Sequence, residues 1–546
     1  MGKTPAIKPK LKVGFLVNPK VIEQHSLDLM DAIAENSMLF ESPIIITLQH
    51  ENHSILKNII SIKEAFKTAL VHIINKIEIP RVRTNSIYFN YLLIFSASDL
   101  LSRRASFNQC SLDSLSDQSI DILINCSSSK TPAHAFKHSL YGVIKNFSDD
   151  SNVENTIFLG LLDVLHGSSV SSLSVIKEDS DSRKISEICS GKLMTRSLWH
   201  HNRAALLKKR NAFILRFLKN PHVNIALLNK SIYLNQATHP IDKISSFHLV
   251  KYFLKVHLKL IFIAFKQKFQ ISKKFNRWSV AYLSGDGFGA NLSSAIEIKN
   301  LPGRFFADPF VISHNNRTIC FVEDFFYDES KGKISALEIF EDGYQFLGVV
   351  LEEQFHLSYP FVFMHEGQIY MIPETSEANE IRLYQAVDFP LVWKFKQVLM
   401  ENVSAVDTSI FQEGNSWFML TNICSSSGDD HSSELHIFYS DVFYSDNWRP
   451  IKSHNPVIFN SEKARNGGFF ELNNKKYRVN QVQGFGHYGK SFSVNLIKNI
   501  TRDKYEEDCI FEIQPDFRED IISTHHFHTN GKLTVFDYCK YEKISS

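Results

Sequence analysis

The first part of the chain alternates short apolar runs with segments of helical periodicity. Apolar runs with the length of buried strands lie at residues 13–17, 44–48 and 120–125. Apolar positions recur at helical spacing at residues 22–34, 55–77 and 196–218. This alternation predicts an α/β domain with a parallel sheet over residues 1–225. The polar, Ser-rich residues 102–119 are expected to form a mobile surface loop.

Residues 247–274 form a helical pattern of a different character, within a linker predicted at residues 226–276. Apolar side chains alternate there with seven lysines. A basic amphipathic helix of this kind either lies in the interface of an anionic membrane or packs between domains with its lysines solvated. Both interpretations stay open on the sequence.

After residue 277 the chain changes to short aromatic and β-branched runs broken by Gly, Asn and Asp, which are typical of strands. Five runs can be superposed: ADPFVI at 307–312, SYPFVF at 358–363, VDTSIF at 406–411, RNGGFF at 465–470 and THHFH at 524–528. Their second residues are separated by 51, 48, 59 and 59 positions, and each run is followed by a turn and another strand. A period of about 50 residues is the length of a four-stranded blade. Residues 277–546 are therefore predicted to form a five-bladed β-propeller.

The repeat also predicts where polar side chains meet. In an antiparallel hairpin, the start of the first strand and the end of the second lie at the same edge. Fifteen residues after each of the first four repeat positions stands another polar residue. Two polar rings are therefore expected at one mouth of the channel: Asp308, Tyr359, Asp407, Asn466 and His525, and then Glu323, Glu374, Asn422 and Gln481. Such residues form a ligand pocket in some propellers and bond neighbouring blades in others, and both interpretations remain.

The composition narrows the function classes. The net charge of +2, from 60 basic and 58 acidic residues, provides no overall field for holding nucleic acid, and no nucleic-acid partner is expected. The seven cysteines are widely spaced without a C-x-x-C pair, which favours free thiols in a reducing compartment. No stretch reaches the roughly 18 apolar residues of a membrane span, and the N-terminus lacks the apolar segment of a signal peptide. We therefore expect a cytoplasmic protein whose membrane contact is limited to the surface, through residues 247–274.

Six motifs of the propeller region resemble a known family in their order and spacing. They are FADPF at 306–310, FVEDF at 321–325, FHLSYPF at 355–361, MIPETS at 371–376, VDTSIF at 406–411 and YRVNQ at 477–481. Residues 277–546 resemble the N-terminal propeller of plant glucosamine inositolphosphorylceramide transferases and of bacterial proteins from polysaccharide loci. The plant proteins have a separate transferase domain, so the resemblance of the propeller does not imply their transfer activity.

That propeller is similar in turn to the furanosidase-like, five-bladed propellers of glycoside hydrolases, whose mouth carries two Asp and one Glu. The resemblance implies that Asp308 is the general base and that Asp407 and Glu374 take the remaining acidic roles. Blade II departs from the pattern, since Tyr359 stands where a hydrolase usually places an acid. Substrate-binding residues are expected around these acids: Glu323, His356, Tyr359, Asn422, Arg465, Arg478, Gln481, His525 and His526.

The N-terminal region resembles formyltransferase-like domains that precede this propeller in bacterial relatives. The motifs that carry the resemblance are DILINC at 121–126, YGVIKNFSD at 141–149, MTR at 194–196 and HNR at 201–203. Formyl transfer needs an Asn-x-His pair after the Gly-Val strand, and Lys145 and Phe147 occupy those positions. Asp181 matches the family's acidic residue but activates nothing alone. We interpret this domain as a degenerate formyltransferase fold, now structural or binding a sugar nucleotide or acceptor.

Two function hypotheses follow. The first is a carbohydrate-active protein of surface polysaccharide or glycan biosynthesis, which binds or acts on a sugar or sugar nucleotide at the propeller mouth by glycosyl transfer or hydrolysis. The alternative is a non-catalytic glycan-binding or scaffold protein with a pseudo-formyltransferase domain, in which aromatic side chains such as Tyr359, Trp417 and Tyr488 hold the sugar. His526 and His528 share one strand face, but the sequence shows no third ligand beside them. We therefore expect neither a metal nor a cofactor.

Overall fold

A computed structural model describes residues 10–18, 22–48, 62–83, 94–95, 107–111, 114, 120–127, 131–147, 158–178, 185–219, 244–258, 262, 265, 274–424, 430–451 and 455–543. The chain divides into two compact units. The first unit comprises Met1–Gly191 and Thr195–Ile261, and the second comprises Lys192–Met194 and Phe262–Ser546.

The first unit contains a mixed sheet and five α-helices among its described residues. The elements in chain order are β1 (Val13–Val17), β2 (Ile22–Glu23), α1 (Gln24–Glu35), β3 (Ile44–Thr47), α2 (Ile62–Arg83), β4 (Ile94–Phe95), β5 (Asn108–Ser111), β6 (Ile122–Asn125), β7 (Val143–Phe147), α3 (Leu161–His166), β8 (Val170–Glu178), β9 (Ile185–Met194), α4 (Trp199–Lys219) and α5 (Ser246–Tyr252). A 3₁₀ turn lies at Ala133–His138, and β2 pairs with β4 outside the main sheet.

The main sheet has the strand order β5-β3-β1-β6-β7-β8-β9. The first five of these strands are parallel, and β8 runs antiparallel to β7. The prediction of a parallel sheet is therefore wrong for β8, which makes the sheet mixed. Along its first six residues β8 alternates half-buried and buried positions, as an antiparallel strand with one solvated face does, whereas every residue of β1 is buried.

The predicted helices and strands of this unit are largely confirmed. The first of the described helices begins at Gln24 rather than at residue 22, and residues 55–61 of the second predicted helix lie outside the described residues. The expected loop at residues 102–119 contains the edge strand β5, because its four residues pair with β3; most of the remaining loop lies outside the described residues.

The helix predicted at residues 247–274 is confirmed over its first part. α5 continues into a π-helical turn at Phe253–His257, and beyond Leu258 only Phe262 and Phe265 are described before a strand begins at Lys274. Among the described residues, no helix combines the length and apolar character needed to cross a membrane.

The structure describes Lys145, one of the residues compared with the formyltransferases. Lys145 lies on β7, and its ammonium nitrogen is 2.7 Å from Glu178 Oε2 on β8. The lysine therefore forms an ion pair between neighbouring strands, at the position where the predicted resemblance would require an Asn. Asp181 lies outside the described residues, and the likeness of this unit to formyltransferases stays a prediction.

The described residues of the second unit form five propeller sheets with 22 strands. The strands are β10 (Lys274–Ser284), β11 (Ile296–Ile298), β12 (Arg304–His314), β13 (Arg317–Phe326), β14 (Lys331–Phe340), β15 (Gly343–Leu351), β16 (Ser358–His365), β17 (Gln368–Glu374), β18 (Glu380–Asp388), β19 (Val392–Glu401), β20 (Ala405–Glu413), β21 (Ser416–Ile423), β22 (Glu434–Ser440), β23 (Arg449–Pro450), β24 (Ile458–Phe459), β25 (Asn466–Leu472), β26 (Lys475–Gly484), β27 (His487–Ile500), β28 (Tyr505–Ile513), β29 (Ile521–Ser523), β30 (Phe527–Thr529) and β31 (Leu533–Lys543). Short 3₁₀ turns lie at Leu292–Ser294 and Ser376–Ala378.

Four blades are consecutive antiparallel sheets. Blade I is β12–β15, blade II is β16–β19, blade III is β20–β23 with β24 paired to β22, and blade IV is β25–β28. The predicted five-bladed propeller is confirmed by the fifth sheet, which has the order β11-β10-β31-β29 with β30 also paired to β31.

Blade V is built from both ends of the propeller segment. β10 pairs with β31 along its whole length, from Lys274 opposite Lys543 to Ser284 opposite Leu533. The innermost strands of successive blades contact one another around the ring, and β30 contacts β12 of blade I. This pairing closes the ring and leaves no open edge at the junction of the first and last strands.

Aromatic side chains fill the channel away from its polar end. Phe361 of blade II lies 5.7 Å from Phe310 of blade I and 6.2 Å from Phe469 of blade IV, measured between ring centroids. Phe411 of blade III stacks on Phe469 at 4.6 Å. Blades II and IV are not neighbours in the ring, so their contact crosses the channel. The centre of the propeller is therefore packed, and the polar side chains lie above this aromatic plug.

Candidate functional site

The repeat position adopts an unusual backbone conformation in three blades. Asp308, Tyr359 and Asp407 have φ of 48°, 45° and 50°, in the left-handed region that non-glycine residues rarely occupy. At each position the innermost strand bulges, with two of its residues opposite one residue of the next strand. Such a conformation costs about 1–3 kcal/mol per residue and persists where the surroundings enforce it.

Hydrogen bonds between blades hold these bulges. The Asp308 amide donates to Asp537 Oδ2 of blade V at 3.2 Å, and Asp308 Oδ2 accepts from the Tyr359 amide of blade II at 3.3 Å. The Asn466 side chain of blade IV donates to the Asp407 carbonyl at 2.7 Å. The predicted ring of polar residues therefore does bond neighbouring blades, and Asp308 contributes its carboxylate to that bonding.

Four carboxyl groups share the mouth of the channel. They belong to Asp308, Glu323, Glu374 and Asp407, which come from the first and second strands of blades I, II and III. Burial raises the pKa of Asp308 to about 7, and the charges of Asp537 and Asp407 add to the rise. Burial and the charge of Asp407 raise the pKa of Glu374 to about 8. Burial, with Asp308 and Glu374 nearby, raises the pKa of Glu323 well above its ordinary value.

Asp407 differs from the other three because a cation stands against it. Arg465 Nε lies 2.7 Å from Asp407 Oδ2, and Gln481 Nε2 donates to the same oxygen at 3.3 Å. Burial opposes the charge of Arg465, but Asp407 raises the pKa of the guanidinium above its ordinary value. The guanidinium also lies over the Tyr488 ring, 5.0 Å from its centroid. The mouth thus contains one ion-paired carboxylate beside three carboxyl groups whose pKa is raised.

Blade V contributes a histidine held in a fixed orientation. The His525 ring stacks on Trp278, with 4.0 Å between ring centroids, and its Nδ1 donates to Asp537, 2.8 Å from Oδ2. Its Nε2 then faces Asp308, 3.9 Å from Oδ1. Burial opposes protonation of His525, but Asp537 and Asp308 outweigh it, so the pKa of the imidazole is raised. The histidine therefore presents a positively polarised nitrogen to the Asp308 carboxyl.

Asp537 organises this side of the site. It is fully buried, and its oxygens accept from the amides of His525, His526 and Asp308 as well as from the His525 ring. Burial raises the pKa of Asp537, whereas these donors lower it. The pKa of Asp537 is lowered overall. Because its oxygens are already used in this way, Asp537 acts as an anion that positions other groups.

His526 lies on the interior side of the mouth. It is fully buried and packs its ring edge-on against Phe310 and Tyr359, at 4.6 and 5.4 Å between centroids. Neither of its ring nitrogens has a hydrogen-bond partner among the described residues. Burial lowers its pKa to about 3, so the ring is neutral although Nδ1 is 3.6 Å from Asp308 Oδ1.

The two glutamates of the second ring have separate neighbours. The Gly332 amide donates to His356 Nδ1 at 2.9 Å, which leaves the proton on Nε2, 3.5 Å from Glu323 Oε1. The Ser376 hydroxyl donates to Glu374 Oε1 at 2.8 Å. His356 and both glutamates are therefore brought to the mouth, as the sequence predicts.

Other predicted binding residues face protein partners. Asn422 is buried and bonds blade III to the chain before blade IV, donating to the Ala464 carbonyl and accepting from the Asn466 amide. Gln481 binds Asp407 and the Asn466 carbonyl. These amides fix the position of blade IV and hold Asp407.

Three further residues that the sequence suggests for sugar binding do not present their side chains to the solvent at the mouth. Arg478 is buried and forms a bidentate pair with Glu507 of the outer strand β28, so its guanidinium is occupied. Tyr359 is fully buried, and its hydroxyl is 3.0 Å from Ser409 Oγ. Trp417 pairs with Gln412 beside the hairpin turn, at the opposite end of its strand from Asn422. The sugar-holding role considered for Trp417 therefore has no geometric support, since five residues of a strand span about 17 Å.

A metal interpretation can be tested on the geometry. Ligand atoms of Asp308, His525 and Asp537 lie within 4.8 Å of one another. A cation bound by all three would have to displace the proton that His525 Nδ1 donates to Asp537, together with backbone amides directed at the same carboxylate. The described donors fit an acid–base network of hydrogen bonds better than a cation site.

Sequence reasoning missed two functional neighbours. Asp537 carried a signal, because it is an acidic residue inside the apolar run 533–539, where an unpaired charge would be costly. Trp278 lies at the start of the predicted propeller, and its contact with His525 depends on the pairing of β10 with β31. No periodicity predicts that contact.

Comparisons with known proteins match the propeller. Residues 291–524 match the family described as glucosamine inositolphosphorylceramide transferase 1, N-terminal. Glucosamine inositolphosphorylceramide transferase 1 of Oryza sativa subsp. japonica is 35% identical over 212 residues, which are 38% of this chain and 28% of the rice protein. The protein of the same name from Arabidopsis thaliana is 35% identical over 220 residues, covering 38% and 27%. The chain thus spans little more than a quarter of the length of these relatives.

Several solved structures that match the chain are glycoside hydrolases. A thermostable family-43 glycoside hydrolase is 15% identical, with 44% of this chain and 90% of that chain covered and a TM-score of 0.34. The family-32 β-fructofuranosidase of Bombyx mori is 11% identical, with 53% and 66% covered and a TM-score of 0.33.

Proposed function

We propose that the propeller mouth binds a glycan or sugar nucleotide and catalyses transfer or hydrolysis of its glycosyl bond. One observation carries the proposal: neighbouring carboxyl groups have opposed electrostatic environments. Asp407 is ion-paired with Arg465, whereas burial and Asp407 raise the pKa of Glu374 to about 8. A carboxylate beside a protonated carboxylic acid is the minimum that glycosyl chemistry requires.

Each acidic group then has a role set by its surroundings. Glu374 is protonated at neutral pH and donates its proton to the oxygen of the leaving group as the glycosyl bond breaks. The Asp407 carboxylate, which is paired with Arg465, stabilises the positive charge that develops on the sugar ring. Asp308, with a pKa raised to about 7 by burial, accepts the proton of the attacking water or acceptor hydroxyl.

In this scheme His525 influences the pKa of Asp308. When its imidazole is protonated, the positive charge of His525 favours the ionised form of Asp308. Asp537 and Trp278 fix the ring so that Nε2 faces the carboxyl. Tyr488 is 40% exposed beside Arg465, and it offers an apolar surface for the sugar ring at the rim of the mouth.

The comparisons support a sugar as the ligand. The family model that matches residues 291–524 and the rice relative both carry the name glucosamine inositolphosphorylceramide transferase 1. The segment matched by the family model contains Asp308, Glu323, Glu374, Asp407 and Arg465. A role in the assembly of a surface polysaccharide or glycan is proposed on the same basis. A binding screen tests which sugar and which acceptor bind.

A non-catalytic glycan-binding function is the second candidate. Its support is that three of the four carboxyl groups have a raised pKa and share the mouth with bonds between blades. Protonated carboxyl groups donate and accept hydrogen bonds, as sugar hydroxyls do, without any bond being cleaved. The N-terminal unit is proposed to be a scaffold or acceptor-binding domain in either case. A cytoplasmic location is proposed from the wide spacing of the cysteines and from the lack of a C-x-x-C pair in the sequence.

The first experiment is a binding screen. Sugar nucleotides and oligosaccharides, neutral and charged, are added to the purified chain, and the thermal unfolding temperature is measured. Binding at the mouth predicts a rise that Asp308→Asn and Asp407→Asn each reduce and that Glu413→Gln, at the exposed hairpin of blade III, leaves unchanged. An equal shift in all four proteins would place the ligand elsewhere.

The second experiment separates catalysis from binding. With an alkyl or sugar leaving group, Glu374→Gln is expected to reduce turnover by about 100-fold or more, because protonation of the leaving oxygen is lost. With a 4-nitrophenyl glycoside the loss should be much smaller, since nitrophenolate leaves without a proton. Ligand binding without turnover in the wild type would establish the non-catalytic function.

A further inference from the structure

In the described part of the segment before the propeller, one face of the helix is packed and the opposite face is exposed. On the packed face, Leu249, Tyr252 and His257 are buried. The Tyr252 hydroxyl donates to Glu78 of α2, and His257 Nε2 lies 3.1 Å from the same carboxylate. Burial raises the pKa of Glu78, whereas its histidine and tyrosine partners lower it. The pKa of Glu78 is lowered overall. This buried anion fixes how α5 is rotated against α2.

The opposite face carries large apolar side chains in solvent. Phe247, Leu254 and Leu258 are 70%, 49% and 52% exposed. They are seven and four positions apart, the spacing of side chains on one side of a helix. Lys251 falls between them at the same spacing and is exposed. Lys255 directs its ammonium group to the Leu165 carbonyl at 2.7 Å.

The charge pattern around this stripe has one sign. Residues 247–274 contain seven lysines and no Asp or Glu. The apolar spacing continues in the sequence to Phe262 and Phe265, which are 57% and 53% exposed. A surface that binds another folded protein usually excludes lysine from its centre, whereas lysines beside aromatic and leucine side chains suit a lipid interface.

We propose that the face defined by Phe247, Lys251, Leu254 and Leu258 binds the interface of an anionic membrane. The apolar side chains insert at the level of the acyl-chain boundary, and Lys251 contacts lipid phosphates. The packed face stays on α2, so binding requires no unfolding of the helix. The chain is held at the surface and does not cross the bilayer. This inference is independent of the chemistry at the propeller mouth.

The expected size of the effect follows from the charges and from the apolar stripe. Each lysine near an anionic surface strengthens binding by about fivefold at physiological salt. Removal of three large apolar side chains is expected to weaken binding by about 100-fold or more, because each contributes several buried methylene equivalents. The electrostatic part should fall steeply with salt.

The test measures co-sedimentation of the full chain with phospholipid vesicles. Phosphatidylcholine vesicles are compared with vesicles in which about a third of the lipid is phosphatidylglycerol, an anionic composition of the kind that attracts basic segments. The apolar variant is Phe247→Ser/Leu254→Ser/Leu258→Ser. Its matched control is Val387→Ser/Leu391→Ser/Val392→Ser on the β18–β19 hairpin, whose side chains are 67%, 49% and 48% exposed. Lysine contact is tested by Lys251→Glu.

The proposal expects binding to the anionic vesicles only, at least tenfold weaker binding for Lys251→Glu, loss of binding for the apolar variant, and wild-type binding for the control. Circular dichroism of each variant establishes that it is folded. Equal binding of the apolar variant and its control would overturn the proposal, as would equal affinity for neutral and anionic vesicles. A dimer that the apolar variant alone converts to monomer would assign the face to a second copy and would also overturn it.

Discussion

Replacement of Glu374 by Gln should stabilise the propeller at alkaline pH and leave it unchanged at acidic pH. Burial and the charge of Asp407 raise the pKa of Glu374 from 4.5 to about 8. The folded protein therefore keeps a proton that the unfolded chain releases between these two values. Stability contributed by this group is lost as the pH rises through that window. Glutamine has the shape of the protonated acid and cannot ionise.

The magnitude follows from the same difference in pKa. A rise from 4.5 to about 8 corresponds to a loss of at most about 5 kcal/mol above pH 8, at about 1.4 kcal/mol per pKa unit. Glu374 is only partly buried at the mouth, and solvent screening reduces this figure. We expect Glu374→Gln to increase the free energy of unfolding by about 2–3 kcal/mol at pH 8.5 and by less than about 0.5 kcal/mol at pH 4.

The assay is equilibrium unfolding in urea, followed by tryptophan fluorescence. Four of the five tryptophans lie in the propeller, so the signal reports mainly on that unit. Glu413→Gln, an exposed and ion-paired position, serves as the matched control and should show no such dependence on pH. If Glu374→Gln changed stability equally at both pH values, the raised pKa would be refuted, and with it the assignment of Glu374 as the protonated acid.

Three further changes test other parts of the structure. Arg465→Met should destabilise the propeller by about 3–5 kcal/mol near neutral pH, because Asp407 would be left buried without its cation; a cost below about 1 kcal/mol in urea unfolding would contradict the ion pair. Gly468→Ala should cost more than about 2 kcal/mol, since φ is +133° and the added Cβ would overlap a carbonyl oxygen of blade V; a thermal unfolding temperature equal to the wild type would argue against this close approach. Tyr252→Phe should cost the N-terminal unit about 2–3 kcal/mol because the hydroxyl contacts the buried Glu78, and hydrogen exchange in α2 and α5 is expected to show the loss; unchanged exchange there would mean that Glu78 does not anchor the helix.

Much of the fold could be predicted because the pattern is local and repeated. The innermost strand of each blade buries aromatic side chains after a polar residue, so the five runs are visible in the sequence. The pairing rule for hairpins then correctly brought Asp308 and Glu323 to one end of their blade, since Ala307 pairs with Glu323. The mixed sheet of the first unit was harder to predict, because the direction of β8 depends on how the chain returns to the sheet.

The sequence alone was sufficient to predict the number of blades, the edge at which the polar residues meet and four of the acids there. Asp537, and the electrostatic differences among the acids, became visible in the folded ring. Arg465 pairs with Asp407 rather than facing a ligand, Arg478 turns outward to Glu507, and Asp537 fixes a histidine beside Asp308. The physical reason is that a pKa depends on burial and on charges from other blades, and those distances are set when the ring closes.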